Sequence, residues 1–403
     1  GNGDIMITRV NADGTLGWSK IWSGTYLDRS PDCGQNAETG GTANAIDIDD
    51  SGNIYVSACM GNGGSTVYKA LVLKINSNNG DIMWEKLWST NTSDQQAYGL
   101  DVKGNYVYVT GTENSQAFVV CLYESDGSIF FQRNLNIDNT SAIDRGYVVK
   151  ADNSNNIYLA GWTSNYGFLT KLSAANTASP VFEWTKKVDI GYGGAINSMD
   201  IDASGDIYLS CNRRGALSYF SVIKVTSSGT LSWGKTYPAY SSTSMTNTSL
   251  VKVIDNDVYV GGSYDPILLP RRAGLLLKLT SSGTLTWAGI YTGGLNSDDQ
   301  QNHWIKGMAI VGNDLYIAGN DWSGSGKVFF GYFYDGKETL TSYSPSLTSY
   351  STPAPTTPTG SVTDASSSRS YSDAPSNYVL QSSFDKVGTS TADSDNWLLK
   401  INL

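Results

Sequence analysis

The chain repeats itself. "SSGTLTWAGIY" at 281–291 restates "SSGTLSWGKTY" at 227–237 after 54 residues. Self-similarity at a fixed period constrains a fold more than any single motif, because a unit that cannot bury its own apolar faces must stack on its copies. The same line recurs as "GTLGWSKIW" (14–22), "GDIMWEKLW" (80–88), "GSIFFQRNL" (127–135) and "PVFEWTKKV" (180–188), with a decayed copy, "ETLTSY", at 338–343. Upstream stands a second line: "ALVLKINSNNG" (70–80), "FVVCLYESDG" (118–127), "GFLTKLS" (167–173), "FSVIKVTSSG" (220–229) and "GLLLKLTSSG" (274–283). A third precedes it, in forms such as "GNIYVSA" (52–58), "NNIYLAG" (155–161) and "NDVYVGG" (256–262). A fourth opens each unit, as in "AIDIDDS" (45–51) and "SMDIDAS" (198–204).

Each line is a short run of β-branched and aromatic residues bounded by Gly, Asn, Asp and Ser, which reads as a strand between turns. Four strands per unit, here lettered A to D, predict one antiparallel sheet per repeat. A lone sheet with two apolar faces cannot bury both; copies stacked in a ring can, and they leave only short, protected edges. The expected fold is therefore all-β, a β-propeller of four-stranded antiparallel blades with strand A lining the centre. The Trp recurring at 18, 84, 184, 233 and 287 holds one register in strand D, where a large ring wedges between blades. A row of Trp also suits a carbohydrate platform, but fixed recurrence favours packing.

Composition agrees. Of 403 residues only 16% are charged, while Gly (43), Tyr (25) and Trp (11) are abundant, the profile of a turn-rich β protein. The net charge of −10 argues against binding nucleic acid or an anionic membrane surface. No apolar run is long enough to cross a bilayer as a helix. The chain begins at Gly1 rather than Met, which fits a leader that was cleaved or omitted. An extracellular or cell-surface location is expected.

Counting strands exposes a surplus. Six A–D units are read over 42–343, and residues 1–41 supply a C-like strand, "DIMITRV" (4–10), and a D-like one, "TLGWSKIW" (15–22). Residues 370–403 supply A ("SYSDA"), B ("NYVLQSS") and C ("NWLLKIN"), so the two part-blades together hold strand C twice. Seven blades are expected, or eight if the termini form separate sheets. The extra strand either forms part of an eighth sheet, lies over an edge in its own ring, or completes the sheet of a second copy by strand addition. The last geometry is head-to-tail and propagates into filaments. It makes Ile5, Ile7, Trp397, Leu398, Leu399 and Ile401 the expected assembly residues. Between the units and the last part-blade, residues 344–369 are rich in Ser, Thr and Pro and read as an extended linker suited to O-glycosylation at Thr352, Thr356 and Thr357.

In "GNIYVSA…ALVLKINSNNGDIMWEKLW" and "NNIYLAGWTSNYGFLTKLS…FEWTKKV" the repeat resembles the SBBP-type β-propeller repeat of secreted and surface prokaryotic proteins. The resemblance covers most of 1–343 and implies a seven-bladed fold. It implies no catalytic residues, and fold does not fix function.

Site chemistry is sparse. There is one histidine, His303, and no G-x-S-x-G. "SGSGKV" (323–328) lacks the spacing of a phosphate loop. "DIDDSGN" and "DIDASGD" place Asp47, Asp49, Asp200 and Asp202 at alternating positions, as calcium loops do. There is no glutamate at the twelfth position, and a plain A–B turn explains them. Of four cysteines, Cys33 and Cys59 are a candidate disulfide, whereas Cys121 and Cys211 sit inside apolar runs. The sequons at Asn91, Asn139 and Asn247 share one rim and are glycosylation candidates. No catalytic residue or cofactor is expected. The expected partners are copies of the same chain, with surface glycans the alternative. An adhesive, lectin-like propeller would use aromatics off the repeat register: Trp162, Trp304, Trp322, Tyr264 and Tyr332. A polysaccharide-active enzyme, with carboxylates drawn from distant blades, ranks third.

Overall fold

The computed structural model describes residues 5–13, 15–23, 28–29, 45–62, 65–89, 94–137, 143–164, 166–173, 178–189, 194–212, 220–237, 250–264, 273–291, 302–311, 314–323, 341–342, 346–349, 361–364, 370–373 and 393–402. Seven antiparallel sheets follow one another along them. Sheet 1 is the hairpin Ile5–Val10/Leu16–Ser23. In sheet 2, Asp28–Arg29 and Ile46–Ile48 share the inner edge of Ile54–Asn62, which is followed by Ser65–Ile75 and Ile82–Ser89. Sheets 3 to 6 each run A–B–C–D. Sheet 3 is Gln95–Lys103, Tyr106–Glu113, Gln116–Tyr123 and Ile129–Leu135; sheet 4 is Asp144–Ala151, Ile157–Thr163, Tyr166–Ser173 and Val181–Asp189. Sheet 5 is Ala195–Ile201, Ile207–Asn212, Phe220–Val225 and Leu231–Tyr237; sheet 6 is Leu250–Ile254, Asp257–Tyr264, Ala273–Thr280 and Leu285–Tyr291. Sheet 7 joins Asn302–Val311 and Asp314–Ser323 to Asp393–Asn402.

The A strands of sheets 2 to 7 touch in succession, and a separate apolar core fills each gap between consecutive sheets. This is a β-propeller of four-stranded blades: both faces of an interior blade are buried against its neighbours. Between sheets 3 and 4, for example, Val119, Cys121 and Phe131 meet Val149, Leu159 and Phe168.

The repeated words now have a physical account. Across strands B, C and D runs a Tyr–Lys–Trp row: Tyr55–Lys74–Trp84, Tyr158–Lys171–Trp184, Tyr208–Lys224–Trp233 and Tyr259–Lys278–Trp287 stand opposite one another in register. Each lysine nitrogen lies over its tyrosine ring at 4.9–5.7 Å, a cation–π contact, and meets a carboxylate: Glu124, Glu183, Asp206 and Asp257 respectively. The tryptophan leaves its own sheet. Trp18 Nε1 donates to Ser77 O (2.8 Å), Trp84 Nε1 to Glu124 O (3.1 Å) and Trp233 Nε1 to Ser281 O (3.0 Å), each carbonyl lying in the C–D turn of the next sheet. Trp184 rests on the same turn of sheet 5, beside Gly229. In those turns Gly80, Gly127, Gly229 and Gly283 have φ between +69° and +80° or +83°, a left-handed conformation that glycine adopts without strain. A Cβ there would fall 2.9–3.1 Å from the incoming indole. "SSGTLSW" (227–233) therefore carries both halves of a lock: its Gly229 seats Trp184 of the preceding copy, and its own Trp233 reaches Gly283 of the following one.

Three expectations differ from the structure. "ETLTSY" was to be strand D of a sixth complete unit, but Thr341–Ser342 pairs with Leu231–Tyr237 of sheet 5. Ser342 stands where the other copies have Trp, so this stretch has no ring to wedge between blades. Five sheets are complete among the described residues, and sheet 7 takes its third strand from the C-terminal region. The 344–369 segment is not simply a linker. Ser346–Ser349 adds to the outer edge of sheet 4 and Ser361–Asp364 to that of sheet 2. Ser370–Asp373, expected as a strand A, adds to the outer edge of sheet 1. The described strands of 341–373 thus join sheets 5, 4, 2 and 1 in reverse order, each adding a short strand to an outer edge. Such cover blunts the exposed N–H and C=O groups of an outer strand.

Candidate functional site

The two incomplete sheets hold the termini. In sheet 1, Arg9 stands opposite Trp18, as the C-strand lysines stand opposite theirs. Ile5 and Ile7 are 6% and 7% exposed and pack with Ile54, Leu71 and Leu73 of sheet 2. Among the described residues no strand pairs with the other edge of Ile5–Val10. In sheet 7, Lys400 stands opposite Tyr316, Ile401 opposite Leu315, Leu399 opposite Ile317, Leu398 opposite Ala318 and Trp397 opposite Gly319. That places Lys400 where Lys74, Lys171, Lys224 and Lys278 stand in complete sheets, so 393–402 occupies a true C position. Its outer edge has no strand paired to it among the described residues. Both C-type strands are therefore paired within their own chain, and each has one edge left without a partner strand among the described residues. Register was legible in the Lys of "LLKIN" and the Arg of "ITRV"; the identity of the receiving edge was not.

Near the centre, carboxylates bridge consecutive A strands. Asp47, Asp101 and Asp200 each use Oδ2 to accept the backbone N–H of Val102, Ala151 and Val253, every one at 2.8 Å. Inner strands of neighbouring blades share no ladder, so these bonds tie them directly. Lys150 donates at 2.5 Å to Oδ1 of buried Asp101. Burial alone would lower the lysine's pKa, but Asp101, Asp47 and Asp200 outweigh it and hold Lys150 well above its usual value. Burial pushes the Asp101 carboxyl up, with Lys150 working against it.

The calcium candidates are engaged as turn acceptors. Asp49 Oδ1 accepts the N–H groups of Ser51 (3.0 Å) and Asn53 (2.7 Å), and Asp202 Oδ1 accepts those of Ser204 (3.0 Å) and Asp206 (2.9 Å). Tyr55 and Tyr208 donate their hydroxyls to the second oxygens at 3.1 and 3.2 Å. Asp152 builds the same turn in sheet 4, and these Asx turns account for the motif. Asp152 and Asp202 line a polar groove of about 290 Å³ between the A–B turns of sheets 4 and 5, with Lys103 of sheet 3 also in its wall.

Cys59 is disulfide-bonded, while Cys33 lies outside the described residues. Cys121 and Cys211 are buried free thiols, pushed by burial well above the usual thiol pKa. Asn91, Asn139, Asn247, Thr352, Thr356, Thr357 and Tyr332 lie outside the described residues. Of the off-register aromatics, Trp162 packs beside Cys59, Tyr98 and Tyr147 with the Arg145 guanidinium 5.5 Å from its ring. Trp304 and Trp322 pair with Asn320 and Asn302 on sheet 7, and Tyr264 ends strand B of sheet 6.

No family model matches the chain, and no curated protein matches it. Solved structures do. The quinohemoprotein alcohol dehydrogenase ADHIIG of Pseudomonas putida HK5 is 10% identical over 81% of this chain and 69% of its own, with a TM-score of 0.42. A member of the duf4221 family from Bacteroides vulgatus is 12% identical over 79% and 93%, with a TM-score of 0.37. A GH43 endo-arabinanase from Bacillus licheniformis is 10% identical over 62% and 91%, with a TM-score of 0.31. Such likenesses carry no activity or ligand across.

Proposed function

We propose that this protein is a non-enzymatic extracellular structural subunit that joins copies of itself through its terminal strands. The observation that carries this reading is a pair of edges to which no strand is paired among the described residues: one on Ile5–Val10, the other on Asp393–Asn402. Addition of the first edge of one copy to the second edge of the next continues a sheet across two molecules by main-chain hydrogen bonds. One edge of each kind per chain makes the contact heterologous, so it propagates as a filament unless the rotation closes. The short added strands on sheets 1, 2, 4 and 5 support the idea, since each covers an outer edge within the chain. The disulfide at Cys59 suits an oxidising compartment, as does the resemblance to SBBP-type surface propellers. Glycans on the Ser/Thr/Pro stretch of 344–369 belong to the same proposal.

The test is electron microscopy and light scattering of the purified chain over a concentration series, beside a chain lacking 396–403. Concentration-dependent head-to-tail assemblies that vanish with the truncation, while the β circular dichroism persists, are expected. Single rings at every concentration in both samples would reject the proposal.

A further inference from the structure

Sheet 3 breaks the repeat at one end, and the break is coordinated. At the position before the B-strand Ile or Val, sheets 2, 4, 5 and 6 carry Asn53, Asn156, Asp206 and Asp257; sheet 3 carries Tyr106. At the end of strand C the others carry Asn76, Ser173, Thr226 and Thr280, against Tyr123. Each D strand also has a bulge, and its unpaired residue is Met83, Glu183, Ser232 or Thr286, against Phe130. A bulge re-aims the extra side chain away from the ladder. The C-strand lysine is lost in the same sheet, replaced by Cys121. Three positions, polar in the other complete sheets apart from Met83, have become aromatic together.

The three rings form one shelf. Tyr106 and Phe130 stack with centroids 4.9 Å apart and planes at 27°, and Tyr123 lies 5.2 Å from Phe130 and 5.9 Å from Tyr106. Tyr123 is 38% exposed. The shelf adjoins the polar groove: Lys103 lines the groove and is the register partner of Tyr106, and Ala151 of the groove wall packs on the same core as Tyr106 and Phe130. Asn153, Ser154, Ser204 and Ser227 supply hydroxyl and amide groups along that wall.

We infer that this shelf and groove form a carbohydrate-binding site on the third and fourth blades, taking a neutral hexopyranose chain. Sugar rings present apolar C–H faces and hydroxyl edges. The C–H face of one unit lies on the aromatic shelf, where rings offer large rigid contact at little entropic cost, and the hydroxyls of the next enter the groove. The concave space is at the small end of ligand sites, which fits one or two sugar units rather than a folded partner. This site is independent of the terminal strands.

Native affinity electrophoresis tests it, with hydroxyethylcellulose, glycogen and galactomannan as the immobilised probes. Retardation by at least one polysaccharide is expected, with about tenfold weaker binding in Tyr123→Ser, and loss of retardation in Tyr106→Asn/Tyr123→Ser/Phe130→Ser. Those substitutions install residues that the other blades carry at the same positions, and near-ultraviolet circular dichroism checks that the fold is kept. Should the triple variant unfold, Tyr123→Ser alone and Asn153→Ala in the groove carry the test. Unretarded migration in all three gels, or retardation that survives these variants in folded protein, would overturn the inference.

Discussion

Gly283→Ala tests the lock between blades. Gly283 and Gly205 have nearly the same backbone, with φ of +83° and +84°. Alanine in that left-handed region costs about 1–2 kcal/mol at either site, of which about 0.5 kcal/mol is returned because the unfolded chain is stiffer. Their surroundings differ. A Cβ on Gly205 would meet Ser227 at 3.5 Å, an ordinary contact, whereas one on Gly283 would lie 2.9 Å from Cδ2 of Trp233. The indole would have to retreat from its wedge and stretch the 3.0 Å bond from Nε1 to Ser281 O, an overpacking cost of about 1–3 kcal/mol. Gly205→Ala should therefore lose about 1 kcal/mol and Gly283→Ala about 3 kcal/mol. Trp233→Ala by itself should cost about 3–5 kcal/mol, and with the ring gone Gly283→Ala should fall to the cost of Gly205→Ala. The cycle should therefore be non-additive by about 2 kcal/mol. Urea unfolding followed by far-ultraviolet circular dichroism measures all four variants without relying on Trp fluorescence. Equal costs at the two glycines, or strict additivity with Trp233→Ala, would refute the reasoning.

Three further outcomes are expected. Asp101→Ala strands the Ala151 N–H and the Lys150 ammonium and should cost about 3–5 kcal/mol, part of it recovered by adding Lys150→Met; an unchanged urea midpoint would reject the bridge. Cys121 and Cys211 should ignore a thiol reagent in the native protein and react, as two thiols per chain, in urea without reductant, whereas four would contradict the bond at Cys59. Burial alone would raise the Asp49 pKa, but the hydrogen bonds from Asn53 and Tyr55 and the charge of Lys74 outweigh it and lower it. A depressed folded pKa contributes stability above the unfolded value, about 3.9, that is lost as pH falls through the folded one. Asp49→Asn should therefore be less stable than the parent at pH 6 and converge with it at strongly acid pH; a gap independent of pH would count against the assignment.

The sequence by itself determined the strands of the complete blades, their order within a blade and the propeller that follows, because runs between Gly, Asn and Asp turns leave few alternatives once they repeat. It marked Trp18, Trp84, Trp184, Trp233 and Trp287 as one structural position, and it showed strand C written twice. It did not say that the tryptophan's seat is a glycine about fifty residues further on, since spatial neighbours across a blade gap share no local pattern. Nor did it show that Tyr106, Tyr123 and Phe130 meet, because each departs from a different line of the repeat. The tertiary structure alone decided where the terminal strands and 341–373 pair. Main-chain hydrogen bonds accept nearly any side chain at an edge, so the same serine- and threonine-rich residues that read as a solvated tether close four outer edges once a finished ring presents them.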